Sequence, residues 1–267
     1  MYKSLVPVSP EQHRDLSWRG YSDYGFAFGE AVIPLILSEL PRASADMPIG
    51  FVRQQDEVSP VAICSLLPGK NYYIAPDGRW LGGYVPALLR AYPFALLRNP
   101  EKQGADSDVV VCIDEGSGLL TERADLEDAQ PFFDEEDKPV GKFAQVLNFL
   151  TQLQRDRQIT RNLCALIDQY GLFTEWPLKV DMGEGAKDVT GILRIDEDAL
   201  LSVSDEVFLD LRRKGALPYI YTQLLSLQRI ANLSRMAQVQ GQLMQAQPSL
   251  ADAFEIPFDD GLEFNFD

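Results

Sequence analysis

The run Gly78–Phe94, GRWLGGYVPALLRAYPF, gathers two arginines, four aromatic rings, three glycines and two prolines. Arg79 and Arg90 beside Trp80, Tyr84 and Tyr92 form a combination suited to an anion or a peptide. A guanidinium donates hydrogen bonds in a planar fork and stacks on ring faces. Gly82 and Gly83 permit close backbone approach or positive φ. The same residues also suit a strand-to-helix corner, with its rings in the core and its arginines on carbonyls or acids. Both readings stay open on the residues alone, and the five side chains Arg79, Trp80, Tyr84, Arg90 and Tyr92 are the candidate ligand- or partner-binding set.

Other chemistry is sparse. His13 is the one histidine of the chain. It lies in the polar stretch SPEQHRD, which reads as surface. A two-histidine iron site is impossible within one chain, and a nucleophile triad would have to use His13 without a G-x-S-x-G elbow. Neither a paired C-x-x-C, a G-x-G-x-x-G nor a Walker A loop occurs, and LLPGKNYY lacks the first glycine and the Ser/Thr of a phosphate loop. No cofactor, no metal site and no catalytic residue is therefore expected. Carboxylates are abundant: Asp114 and Glu115 follow the apolar run VVVCI, and DEED occupies 134–137. Paired acids can hold a hard cation or cleave a glycoside. DEED lacks EF-hand spacing, however, and reads as a solvated loop. An enzyme working through carboxylates and arginines is the alternative to a non-catalytic binding protein.

These side chains need a frame. The 267 residues are 46% hydrophobic and 24% charged, a globular composition long enough for a sizeable core. A formal charge of −16 opposes nucleic acid and anionic membranes. Cys64, Cys112 and Cys164 sit far apart in apolar runs and read as reduced, buried thiols. MYKSLVPVSPEQHRD has no secretory pattern, and AVIPLILSEL is too short to span a bilayer. The expected place is the cytoplasm, with export through an uncleaved C-terminal signal as the other route.

Residues 1–45 read as an arm that packs its rings on the body. Ile49–Arg53 and Val61–Leu66 around QQDEVSP predict a hairpin, and Asn71–Ile74 a third strand closed by the turn Ala75–Gly78. Tyr84–Ala91 predicts a short helix with Pro86 in its first turn, and Pro93–Arg98 and Asp108–Ile113 further strands. Residues 114–139 read as an acidic loop. From Val140 the period becomes helical, first through Phe143, Val146, Leu147, Leu150 and Leu153, then through Ile159, Leu163, Leu166, Ile167 and Tyr170 to a stop at Gly171. Phe173–Val180 and Val189–Ile195 predict strands joined by a glycine-rich turn. Helices follow over Asp205–Lys214 and from Pro218, the latter with Leu217, Ile220, Tyr221, Leu224 and Leu227 on one face. The expected fold is α+β, a mostly antiparallel sheet from the N-terminal half packed against C-terminal helices. The expected division is one domain, 1–243, and an acidic tail, 244–267.

From Ala251 the tail holds six acids, four phenylalanines and no base. Phe254, Phe258, Phe264 and Phe266 among acids predict a docking segment for a protein partner with a basic, apolar groove. A segment folded back on its own body is the other reading. Oligomeric state is left open.

DGRWLGGYVPALLRAYPF resembles the signature of the bacterial SapC family. PFFDEEDKPVGKF, GILRIDEDAL and LRRKGALPYIYTQLLSLQRIANL resemble three further segments of that family, in the same order, over roughly residues 48–236. The family takes its name from a surface-layer locus, and many members lie near tryptophan-halogenase-like genes. The resemblance implies an accessory protein of a surface-layer or modification pathway, or a subunit of the layer itself. It brings no catalytic residues, and the tail lies outside it.

Overall fold

A computed structural model of the chain describes residues 1–98, 109–122, 126–181 and 185–245. The N-terminal part runs β1 (Leu5–Pro7), α1 (Pro10–His13), β2 (Ser17–Trp18), β3 (Val32–Pro34) and α2 (Leu40–Ala43). The predicted hairpin follows as β4 (Ile49–Gln54) and β5 (Glu57–Ile63). Its loop is only Gln55-Asp56, with Gln55 at φ +54°. The pairing of Gln54 with Glu57 draws Ser59 and Pro60 out of the expected turn into the strand. Next come α3 (Ala87–Arg90), β6 (Phe94–Arg98), β7 (Val109–Asp114), β8 (Leu120–Thr121), β9 (Gln130–Pro131) and α4 (Gly141–Gln169). The rest is β10 (Phe173–Glu175), β11 (Leu178–Asp181), β12 (Ala186–Val189), β13 (Ile192–Ile195), α5 (Glu197–Ser202), α6 (Asp205–Arg213), α7 (Leu217–Ser226) and α8 (Ile230–Gln245).

The fold is α+β, and all its strand pairs are antiparallel. The main sheet has the order β10-β13-β4-β5-β3, and a second has the order β1-β7-β6. Two small sheets, β8-β2-β9 and β11-β12, complete it. Residues 5–7, 17–18 and 32–34 supply strands to three different sheets.

Local signals set many boundaries. The Asp196 carboxylate accepts from Ala199 N at 3.0 Å and caps α5. Gly171 and Gly215, at φ +66° and +77°, end α4 and α6 with paired 6→1 and 5→2 bonds. Asn71–Ile74, predicted as a strand, is instead a turn. Asn71 Oδ1 accepts from Tyr73 N at 3.0 Å while its Nδ2 donates to Ala27 O, so the side chain occupies the groups a ladder would use.

The two predicted helical patterns are one helix, the 29-residue α4. Its length, about 43 Å, spans two cores. Phe143, Leu150 and Leu153 pack with Trp18, Phe94 and Phe132 in the smaller core. Leu163, Cys164, Leu166 and Ile167 pack in the larger core around the main sheet. Between them lies the polar stretch Gln154–Gln158. The interruption of the apolar period is therefore a change of core and not a break in the chain. Ile159, placed on the stripe by its spacing, is 54% exposed.

The stripe of α7 also differs from its period. Tyr221 is exposed, while Gln223 and Ser226 are fully buried. Backbone pairing of β13 with β4 covers Ile192↔Val52 and Leu193↔Phe51. Beyond it, Gln223 Oε1 accepts from Ile195 N at 3.1 Å and its Nε2 donates to Ile49 O at 2.9 Å. One side-chain amide thus stands in for a peptide unit between two strands, which a leucine cannot do. All three cysteines are free and buried, as expected. Among the described residues no helix is long and apolar enough to cross a membrane.

Candidate functional site

The Gly78–Phe94 run divides into three places. At its start, Gly78 N donates to Ala75 O at 2.8 Å, closing the predicted turn with Gly78 at φ +85°. Arg79, exposed, donates from Nε to Asp77 Oδ2 at 2.6 Å, and this bond holds the Asp77 carboxyl below its ordinary range. Trp80 is half-buried. Its indole stacks on Tyr73 with centroids 5.6 Å apart, and its N–H donates to Tyr84 O at 2.9 Å. It props the Tyr84 backbone from behind.

Gly82 shows the close approach its type suggests. A Cβ there would lie 2.7 Å from Asp46 Oδ2, 2.9 Å from Trp80 Nε1 and 3.0 Å from a Tyr73 ring carbon. One at Gly83 would meet only Asp46 Oδ2, at 3.8 Å. Gly82→Ala is expected to lose about 1–3 kcal/mol by overpacking. Gly83→Ala is expected to be neutral or slightly stabilising, since alanine restricts the unfolded chain. Urea midpoints of the two variants check this; equal midpoints would refute the crowding at Gly82.

Tyr92 belongs to a different cluster. It is buried, stacks on Phe26 at 3.8 Å and 7°, and its hydroxyl donates to Asp114 Oδ2 at 3.4 Å. Burial first, and then the Asp114 charge, push its pKa up to about 12. With Tyr21, Phe26, Lys3 and Asp23 it lines a cavity of about 370 Å³ near the N-terminus.

Tyr84 and Arg90 face a cleft of about 280 Å³ at the seam between the two cores. One wall is α3, another the segment Ile36–Arg42, and the third α4 with Phe149, Gln152 and Asp156. α3 is a single turn whose N-cap is Pro86, shorter than the predicted Tyr84–Ala91. Its first N–H, on Ala87, needs an outside acceptor. Glu39 supplies it: Oε1 accepts from Ala87 N at 2.6 Å and from the Tyr84 hydroxyl at 2.8 Å. Glu39 Oε2 accepts from Ile36 N at 3.0 Å. The carboxylate is 5% exposed and joins the 36–42 segment to α3. Burial, with the Glu39 charge and hydrogen bond, pushes Tyr84 up to about 12.

Arg90 donates from Nε to Val85 O at 3.1 Å and from Nη2 to the Tyr84 hydroxyl at 3.3 Å. Its guanidinium carbon lies 5.8 Å from the Tyr84 ring centroid and 5.3 Å from that of Phe149. Arg42 is exposed on the same cleft, with no hydrogen bond or ion pair among the described residues. Asp156 accepts from Gln152 Nε2 at 2.9 Å and from Ser38 Oγ at 3.4 Å. Arg157 lies near enough for the Glu39 charge to favour its own, while burial works against it and holds its pKa below the ordinary value. The cleft thus offers two guanidinium groups with open donors, ring surface, and carboxylates already supplied with donors.

Glu39, Arg42, Phe149 and Asp156 escape sequence reasoning. The one local signal was Glu39 itself, a lone acid in the apolar run AVIPLILSEL, three residues after Ile36 and two before Pro41. Phe149 and Asp156 sit on a helix whose cleft face becomes visible only once the two cores are known.

The other candidates resolve as structure. His13, read as a surface residue, is fully buried. One face of the single-turn α1 points inward, so polar neighbours in sequence do not keep its third residue after Pro10 exposed. Its Nδ1 accepts from Ser9 N at 3.4 Å, its ring meets Phe132 edge-on, and its Nε2 lies 3.8 Å from Glu115 Oε1. Asp114 is fully buried and accepts from Ser4 N at 2.7 Å and Lys3 N at 3.1 Å. In DEED, Asp134 Oδ1 accepts from Glu136 N and Lys138 N, both at 2.9 Å, forming a turn. Among the described residues no three His, Cys, Asp or Glu side chains are placed to hold a metal. Phe254, Phe258, Phe264 and Phe266 lie outside the described residues.

A family model described as SapC matches residues 8–233. The chain belongs to the SapC family. No curated protein and no solved structure matches it. Every residue of the cleft falls inside the SapC match, from Ile36 to Asp156. The acidic segment from Ala251 falls outside it.

Proposed function

We propose that this SapC-family protein is a non-catalytic accessory protein of a surface-layer or modification pathway. It binds an anionic, ring-bearing ligand, in the first place an acidic segment of a protein partner, in the cleft formed by Arg42, Tyr84, Arg90 and Phe149. The observation that carries this reading is the state of the two arginines. In a chain with 40 acids and 24 lysines and arginines, the Arg42 side chain has no hydrogen-bond or ion-pair partner among the described residues, and among them Arg90 donates only to neutral oxygens. A carboxylate entering the cleft would gain charge-assisted hydrogen bonds, and a ring beside it would lie on Phe149.

The cleft is poorly suited to acid–base work. Both Glu39 oxygens are held by donors, and burial together with the Glu39 charge moves the Tyr84 hydroxyl still further from titrating near neutral pH. Binding, and not proton transfer, is what this geometry favours.

The test is calorimetric titration of the full chain with an acetylated Asp-Phe-Asp-Phe peptide, carried into the millimolar range. Arg42→Ala with Arg90→Ala is expected to weaken binding at least tenfold, and Arg90→Lys to leave most of that loss, because an ammonium lacks the planar fork. Arg212→Ala with Arg213→Ala, an adjacent pair near the end of α6, removes the same charge elsewhere and is expected to change little. Equal losses from both pairs would reduce the effect to net charge and overturn the site.

A further inference from the structure

We infer that the resting occupant of the Arg42/Arg90 cleft is the chain's own acidic segment, residues 251–267, so that a partner binds by displacing it. This rests on the reading of the cleft as an anion site and names its first ligand. These residues lie outside the described part of the structure.

Composition matches the cleft on both counts. Six acids answer two arginines that lack carboxylate partners among the described residues, and four phenylalanines answer the rings of Phe149 and Tyr84. No base dilutes the segment. Elsewhere the chain carries an excess of acids, which repels such a segment, so a pair of open guanidiniums is a strong attractor for it.

The starting point is also suitable. The described chain ends with α8 at Gln245. Five residues earlier, Gln240 Nε2 donates to Asn71 O at 2.9 Å and to Ile74 O at 2.6 Å. Ile74 pairs with Trp80 in an isolated bridge, and Trp80 donates to Tyr84 O. Gln240 of α8 is therefore three contacts from the cleft wall at Tyr84. The remaining helical residues add about 7.5 Å, whereas residues 246–267 span up to roughly 70 Å when extended. Reach is ample, and tethering raises the local concentration of the segment to about the millimolar range. A weak intrinsic affinity then suffices for occupancy.

The experiment uses the full chain and a full chain carrying Phe254→Ala, Phe258→Ala, Phe264→Ala and Phe266→Ala, each with and without Arg42→Ala/Arg90→Ala. The probe is the acetylated Asp-Phe-Asp-Phe peptide. Freed of its phenylalanine anchors, the cleft is expected to bind the probe at least tenfold more tightly than in the unchanged chain. The gain should vanish when both arginines are replaced and should not depend on protein concentration. Equal affinity of the unchanged and four-alanine chains, with arginine dependence intact, overturns the self-occupancy and leaves the cleft reading standing. Loss of arginine dependence in both backgrounds overturns the cleft reading itself. A gain that fades on dilution of the protein assigns the occupant to a second copy and overturns occupancy by the same chain.

Discussion

Glu39→Ala is expected to lower stability by about 3–5 kcal/mol. The carboxylate is 5% exposed and receives three donors, Ile36 N, Ala87 N and the Tyr84 hydroxyl, at 3.0, 2.6 and 2.8 Å. Alanine leaves two backbone N–H groups without their acceptor in a place water reaches poorly, at about 1–3 kcal/mol each. The Tyr84 hydroxyl can turn toward solvent and loses less. In a chain of this size the change corresponds to a fall in Tm of roughly 8–15 °C. Glu39→Gln keeps one acceptor oxygen but turns the other into a donor facing a donor, so an intermediate loss is expected. Urea denaturation of the two variants checks the order. An alanine variant as stable as the unchanged chain would mean that Glu39 does not join the 36–42 segment to α3, and the cleft would lose its structural basis.

The second large effect is expected at Asp114. Its carboxylate is fully buried at the end of β7 and gathers Lys3 N, Ser4 N and the Tyr92 hydroxyl. Two successive backbone amides around one carboxylate make a small anion nest, here filled from within the chain. Asp114→Ala is expected to cost about 2–4 kcal/mol, somewhat less than Glu39→Ala because Lys3 and Ser4 are exposed and their amides can turn to water. The loss should be local. Hydrogen exchange is expected to speed up at Ser4, while Val8 N, which donates to Val111 O at 2.8 Å, keeps its protection. Unchanged protection at Ser4 would show that β1 alone holds the N-terminus, and would separate Asp114 from the Tyr92 cluster.

The two carboxylates also show why acids in this chain were hard to read. Asp114 stood out in sequence as a candidate cation ligand because it follows an apolar strand. The same position, at a strand end, is where a carboxylate can meet amides that lead into a neighbouring strand, and it meets Lys3 N and Ser4 N, just ahead of β1. Glu39 was hidden inside an apolar run. Its role was not legible there, since two of its three donors, Ala87 N and the Tyr84 hydroxyl, come from more than 40 residues away.

Of the two readings that the Gly78–Phe94 run allows, the corner accounts for part of it. Trp80, Gly82 and Tyr92 serve the corner through ring stacking and close packing. Tyr84 and Arg90 line the cleft, the Tyr84 hydroxyl already committed to Glu39 and the Arg90 guanidinium with donors to spare. Spacing alone does not separate them, because the orientation of a one-turn helix is set by what its ends bond to and not by its own four residues.

Composition and local spacing carry the α+β class, the antiparallel pairing, the helix stop at Gly171 and the Ala75–Gly78 turn. The stop and the turn rest on bonds within a few residues, such as Gly171 N to Asp168 O and Gly78 N to Ala75 O, so that information is local. The burial of Gln223, Asp114 and Glu39, the continuity of α4 and the cleft itself came from packing. Their partners lie 174, 110 and 48 residues away, at Ile49, Ser4 and Ala87. A polar side chain is buried where distant backbone groups would otherwise go unbonded, and no neighbouring residue in the chain announces where those groups will be.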